Sequence, residues 1–290
     1  MPSDPLQLTL AVLEYALIFT GAGLLLWLLF NRAQRARWLR VHTLPQIFQS
    51  PAEFALGAVL IYLTGFGCNA LAQLLIGRWL GGIPDHTGLQ LFVYSVANYG
   101  GALFGWRVLL PAALQAWQTG PGLPKARTTR QTLSWSEATG YGVGTVLVAL
   151  PILILISLGW TELLRACGLP DDPQDLIALF TQTKSPLVVG GMLVVACVLA
   201  PIYEELLFRA GLYRYVRQKL GRTPALVISG TCFGAMHLNW AGFLPLAVLG
   251  MLLALVYEAT GSIRVAIVAH GLFNLNTIIL LLSGLSQANS

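Results

Sequence analysis

Long apolar runs alternate with short polar connectors along the whole chain, and the polar connectors carry most of the lysines and arginines. Eight segments reach or approach the roughly 20 predominantly apolar residues that a membrane-spanning helix needs. They run approximately 7–30, 54–77, 88–113, 138–164, 186–208, 224–238, 243–260 and 264–284. The sixth is short, which predicts a tilted helix or an earlier start. The runs are continuous, whereas a transmembrane β-barrel shows segments of about 10 residues with alternating polarity. Open strands in lipid leave backbone groups unpaired. The pattern therefore predicts an all-α fold, a polytopic transmembrane helical bundle of about eight spans.

Charge supplies an orientation. With eight spans the connectors alternate sides, and 14 of the 17 Lys/Arg residues fall on one side, leaving Arg78, Arg165 and Lys184 on the other. The positive-inside rule makes the basic side cytoplasmic and predicts both termini outside the cytoplasm, in a plasma or inner membrane. The connector 115–137 is the longest polar stretch. It is expected to divide an N-terminal region of about three spans, 1–136, from a membrane core of about five, 137–290. Composition agrees: 56% hydrophobic and 10% charged residues leave too little charge to cover a water-facing surface, so the main partner is the lipid bilayer. The net charge of +5 sits in the connectors, as topology requires, and does not indicate nucleic acid. The apolar run after the N-terminus, which lacks a basic flank, reads as a retained helix. The four cysteines show no CxxC spacing and suggest neither a disulfide framework nor a zinc ribbon.

Ionisable groups inside a span are costly and by default mark a functional interior. The first four spans hold few. Glu14 is expected to be interface-facing or locally paired. The last four spans carry a concentration of them: Glu204, Glu205 and Arg209 at the end of span five, Phe233 and His237 in span six, His270 and Asn274 in span eight. Glu205 and Arg209 are four apart and share a helix face, as do Phe233 and His237, and His270 and Asn274. Glu204 and Glu205 lie about 100° apart around the helix, so the two carboxylates should have separate roles. Pro201 removes one helix hydrogen bond just before them. Taken singly, each group has a structural explanation. Two carboxylates, two imidazoles and an amide within three spans exceed what packing requires.

Order and spacing resemble the CAAX-protease and bacteriocin-processing family of intramembrane endopeptidases, which includes the prenyl-protein endopeptidases. Its signature, Glu-Glu-x-x-x-Arg, Phe-x-x-x-His and His-x-x-x-Asn/Asp, is matched by Glu204-Glu205-LLF-Arg209, Phe233-GAM-His237 and His270-GLF-Asn274, within roughly 187–282. The resemblance implies peptide-bond hydrolysis on a membrane-associated or prenylated-type peptide or protein substrate. Glu204, assisted by His237, would activate water. His270 and Asn274 would form an oxyanion hole, and Glu205 would be a supporting carboxylate held by Arg209. No cofactor is implied. A zinc peptidase with Glu204, His237 and His270 as ligands is the main alternative, although no HExxH motif is present. Its histidines would want supporting acceptors, for which Asn239, Asn276 and Glu205 are the nearest candidates. A proton-coupled transporter and a non-catalytic scaffold or immunity protein are further alternatives; no internal repeat favours the first. Residues 1–136 carry no family signal.

Overall fold

The computed structural model of the protein describes residues 5–38, 44, 47–48, 50–82, 86–117, 133–172 and 185–283. These residues are almost entirely helical, and no strand occurs among them. In chain order the helices are α1 (Pro5–Phe30), α2 (Arg32–Trp38), α3 (Pro51–Leu80), α4 (His86–Phe104), α5 (Leu110–Trp117) and α6 (Trp135–Ala166). They are followed by α7 (Pro186–Val194), α8 (Ala200–Glu205), α9 (Arg214–Leu220), α10 (Arg222–Met236), α11 (Trp240–Thr260) and α12 (Ile263–Leu282). Wider π-wound turns join α4 to α5 (Gly105–Leu109), α7 to α8 (Val195–Leu199) and α8 to α9 (Leu206–Tyr213). Each of the eight expected segments is helical, and the protein is an all-α, multi-pass membrane bundle. Six helices are long and apolar enough to cross a membrane by themselves, counting Pro186–Leu220 as one. The helix over 222–236 has 15 residues, short of the roughly 20 that span. The connector expected at 115–137 falls largely outside the described residues.

The helix starts follow local chemistry. Ser134 and Glu137 form a reciprocal capping box at the head of α6, and Asn239 accepts the Gly242 amide at 2.7 Å at the head of α11. Each satisfies amides that have no partner within the first turn. Gly261, with φ of 62°, ends α11 in the left-handed region, where a glycine carries no Cβ penalty.

α6 is the central post: α1, α11 and α12 pack on it. α10 and α11 form a close antiparallel pair, in which a Cβ on Gly230 would stand 2.6 Å from the Ala247 carbonyl oxygen. Small residues at such crossings let backbones approach, and the resulting van der Waals contact is the main attraction between helices in lipid. Their core joins Ala149 and Leu153 of α6 to Phe233, Leu249, Leu253 and Ala269. α3 and α4 form a second antiparallel pair, joined to the Pro186–Leu220 helix by stacking of Phe54 on Tyr215 (5.1 Å between centroids). Outward residues such as Leu74, Leu155 and Leu187 remain largely exposed, as lipid-facing positions should.

Two polar features fix the bundle away from its centre. Glu258, buried in α11, meets Arg217 Nε at 2.7 Å and Arg222 Nε at 2.6 Å, which ties the ends of α9, α10 and α11 together. Glu14, expected to be locally paired, accepts from Asn276 Nδ2 at 3.4 Å and so links α1 to α12.

Candidate active site

The two glutamates sit on a helix that is wound irregularly on both sides of them. In the turn before α8, the Ala200 amide donates to the Val195 carbonyl instead of to Ala196. The next amide that could serve Ala196 belongs to Pro201, which has no N–H. The Ala196 carbonyl is therefore released from the helix ladder, and Asn274 Nδ2 of α12 donates to it at 2.8 Å. The same stretch is where α12 comes closest: a Cβ on Gly271 would overlap the Cys197 carbonyl oxygen. Only glycine permits that approach, and it brings His270 and Asn274, on either side of Gly271, against the acidic helix.

Glu205 and Arg209 are fully buried, and their Nε and Oε2 atoms lie 3.0 Å apart. The contact is an ion pair by distance, without hydrogen-bond alignment. Arg209 also donates from Nη2 to the Gly250 carbonyl at 3.1 Å, and its guanidinium lies 4.6 Å from the Phe233 ring centroid, within cation–π range. The other Glu205 oxygen, Oε1, lies 2.9 Å from His270 Nδ1. A carboxylate accepts, so Nδ1 carries the hydrogen and donates. The opposite nitrogen of the same ring, Nε2, faces Glu204 Oε2 at 3.7 Å. The two carboxylates thus bracket one imidazole from its two sides, with Glu205 packed away and Glu204 at a cavity surface. Glu204 Oε2 is a buried acceptor with no hydrogen-bond partner.

His237 caps the C-terminal end of α10. Its Nδ1 lies 2.8 Å from the Phe233 carbonyl. A carbonyl only accepts, so Nδ1 donates and the neutral ring keeps its lone pair on Nε2. The Phe233 ring stands edge-on to both imidazoles, with centroids 5.0 Å from His237 and 5.5 Å from His270. Phe233 therefore spaces the two histidines and also covers Arg209.

Glu204, His237, His270 and Asn274 line a cavity of about 600 Å³, whereas the fully buried Glu205 and Arg209 do not reach it. The remaining lining is mainly apolar, with Met192, Val195, Leu246, Phe273 and Ile278 among it. One wall comes from α4, through Leu91, Phe92, Ser95 and Tyr99, and motif reasoning missed it. The available signal was that α4, although 19 residues long, does not rank among the apolar spans. Such polarity fits a helix facing a cavity. The sequence reading also passed over Glu258, whose arginine partners lie on neighbouring helices.

Among the described residues no group of three or more His, Cys, Asp or Glu side chains is placed to hold a metal ion. Of the expected supporting acceptors, Asn239 caps α11 and donates to the Asp172 carbonyl at 3.0 Å, and Asn276 serves Glu14. Neither supports a histidine.

Bundle and site define a class: an integral membrane protein with a buried carboxylate–imidazole centre opening on a cavity. Residues 186–276 match the family described as "Type II CAAX prenyl endopeptidase Rce1-like". This segment, about a third of the chain, is where the three motifs resembling the CAAX-protease and bacteriocin-processing family lie. It is also similar to a protein of Bacillus subtilis (strain 168) named "Putative membrane peptidase YdiL", with 31% identity over 89 residues. That match covers 31% of this chain and 36% of the relative, so it spans about a third of the relative's length. No solved structure matches the chain at a significant level.

Proposed function

We propose that the protein is a metal-free intramembrane endopeptidase that hydrolyses membrane-associated peptides with water activated by Glu204 and His237. The observation that carries this reading is the geometry around His270: Glu205 on Nδ1 at 2.9 Å and Glu204 opposite Nε2 at 3.7 Å, with Glu204 and His270 both lining the cavity. Glu204 offers a buried, unpartnered oxygen to a water molecule, and His237 offers an Nε2 lone pair. Either group takes the water proton as the oxygen adds to the scissile carbonyl. Negative charge then develops on the carbonyl oxygen. His270 in its imidazolium form donates to it from Nε2, and Asn274 donates the Nδ2 hydrogen not used on Ala196. Two carboxylates face only one arginine here, so the imidazolium balances the charge. When the tetrahedral adduct collapses, the proton held by Glu204 or His237 passes to the leaving nitrogen, giving an amine and a carboxylate.

Glu205 and Arg209 take no part in bond making. They hold His270 in one orientation, with its Nδ1–H directed at Glu205. The pairing of both His Nδ1 atoms, one to a carboxylate and one to a carbonyl, leaves Nε2 of each as the working nitrogen. The basic connectors favour a cytoplasmic face at Arg214, Arg217 and Lys219, with both termini on the opposite side.

The test is a comparison of membranes from cells carrying wild type and Glu204→Gln, followed by cleavage assays with both purified proteins. Membrane proteins should accumulate uncut in the variant, and purified wild type alone should cut them. Equal cleavage of an identified substrate by Glu204→Gln would remove Glu204 as the base.

A further inference from the structure

The matched family segment supplies the acid, the histidines and the asparagine, but it does not close the cavity. The open side is walled by α4, some ninety residues earlier in the chain. Leu91, Ser95 and Tyr99 are spaced four apart and so lie on one helical face, and all three line the cavity with Glu204, His237 and Asn274. Two contacts set this wall against the catalytic helix. The Phe92 ring lies on Gly191 of α7, where a Cβ would stand 2.9 Å from it. The Tyr99 ring lies 5.5 Å from that of Tyr203, the residue before Glu204. Ser95 sits one turn from each anchor. It is a small, hydroxyl-bearing residue on the cavity side of the helix, and the exposed Val96 next to it is not part of the cavity lining.

We infer that α4 is the specificity-determining wall of the site, with Ser95 and Tyr99 as positioning residues and Leu91 and Phe92 bounding an apolar side-chain pocket. The inference rests on the peptidase reading above. The ligand chemistry is an extended peptide segment. Its backbone polar groups take hydrogen bonds from the Ser95 and Tyr99 hydroxyls, and an apolar side chain flanking the scissile bond lies against Leu91, Phe92 and Met192. A helical substrate has its backbone groups already paired, so it would make poor use of two hydroxyls on one wall. The substrate would have to unwind locally to be held. Ser95 is the position where volume decides: its small side chain leaves the space that a substrate side chain fills.

Two measurements test this. In the first, Ser95→Cys, Tyr99→Cys and the lipid-facing Val96→Cys are treated in membranes with a small charged thiosulfonate, and labelled sites are read by mass spectrometry. Labelling at 95 and 99 but not at 96 is expected. Equal reaction at all three, or reaction at 96 alone, overturns the assignment of this face. In the second, purified wild type, Ser95→Leu, Tyr99→Phe, Val96→Leu and Glu204→Gln are incubated with a library of extended membrane-partitioning peptides, and cleavage sites are mapped. Ser95→Leu should change kcat/KM by about 10-fold or more in favour of smaller flanking side chains, since pocket discrimination of one or a few methylenes has that size. Tyr99→Phe should raise KM more than it lowers kcat, and Val96→Leu should behave as wild type. Glu204-dependent cleavage with one unchanged site profile across the α4 variants overturns this inference alone. Cleavage that is absent, or that persists in Glu204→Gln, overturns the peptidase reading and this inference with it.

Discussion

Removing the Arg209 guanidinium should unfold the site from behind. Arg209 and Glu205 have no exposed surface, and the arginine has three partners: the Glu205 carboxylate at 3.0 Å, the Gly250 carbonyl at 3.1 Å and the Phe233 ring at 4.6 Å. In Arg209→Ala the Glu205 carboxylate remains buried with only His270 to answer it. Leaving one member of a buried ion pair uncompensated costs about 3–5 kcal/mol. Against a total stability of about 5–15 kcal/mol, that is a large fraction. The assay is unfolding of purified protein in mixed micelles with increasing dodecyl sulfate, followed by near-ultraviolet circular dichroism. Three variants make the argument quantitative: Arg209→Ala, Glu205→Gln and the double substitution. The double variant should be less damaged than the two single losses added together, with a coupling of about 0.5–3 kcal/mol for contacting groups. The exposed pair of Arg165 and Glu162, whose side chains are 51% and 74% accessible, provides the contrast, and Glu162→Ala should leave the transition unmoved. A transition for Arg209→Ala within about 1 kcal/mol of wild type, well under the buried-pair range, would refute the view that this pair supports His270.

Gly271→Ala should express and insert but lose about 100-fold in activity, because the new methyl pushes α12 from the Cys197 carbonyl and misplaces His270 and Asn274 together; Gly190→Ala, with nothing near the added methyl, should be silent. Wild-type activity in Gly271→Ala would show that the close approach is not needed. Asn274→Ala should cost about 1–3 kcal/mol of stability by orphaning the Ala196 carbonyl, and about 10²–10³-fold in kcat if the amide also serves the oxyanion; Asn274→Gln should restore part of the first effect, and unfolding curves and turnover separate the two. Activity should survive prolonged exposure to a membrane-permeant chelator, whereas stoichiometric zinc lost on mutating either His237 or His270, with chelator-sensitive turnover, would move Glu204 from base to ligand. Cysteine labelling at Ser290 and Thr128 should occur from opposite sides of the membrane; labelling of both from one side would refute the eight-span alternation.

Near neighbours along a helix were legible in the sequence. A separation of four residues places Glu205 over Arg209 and Phe233 beside His237, because residues four apart stay neighbours on one face even where the turns widen to π winding. Overall hydrophobicity likewise determined the class of fold, since a chain with 10% charged residues has only lipid as its covering medium. Pro201 signalled an irregularity, because a missing N–H is a property of the residue itself.

The tertiary structure decided the rest. That Glu205, and not Glu204, holds His270 Nδ1 depends on how α8 and α12 are rotated against each other, and one residue of rotation would exchange the two. The partner of Asn274 is a backbone carbonyl freed by a π-wound turn, and backbone winding is set by packing as well as by residue type. The α4 wall has no motif, because lining a cavity asks only for a face of mixed polarity and many sequences meet that. Glu258 found its arginines across three helix ends. Sequence therefore determined which groups this protein carries into the membrane and which of them share a helix face. Only the packing of separate helices, a matter of shape and close approach at residues such as Gly271, decided which groups face one another across the cavity.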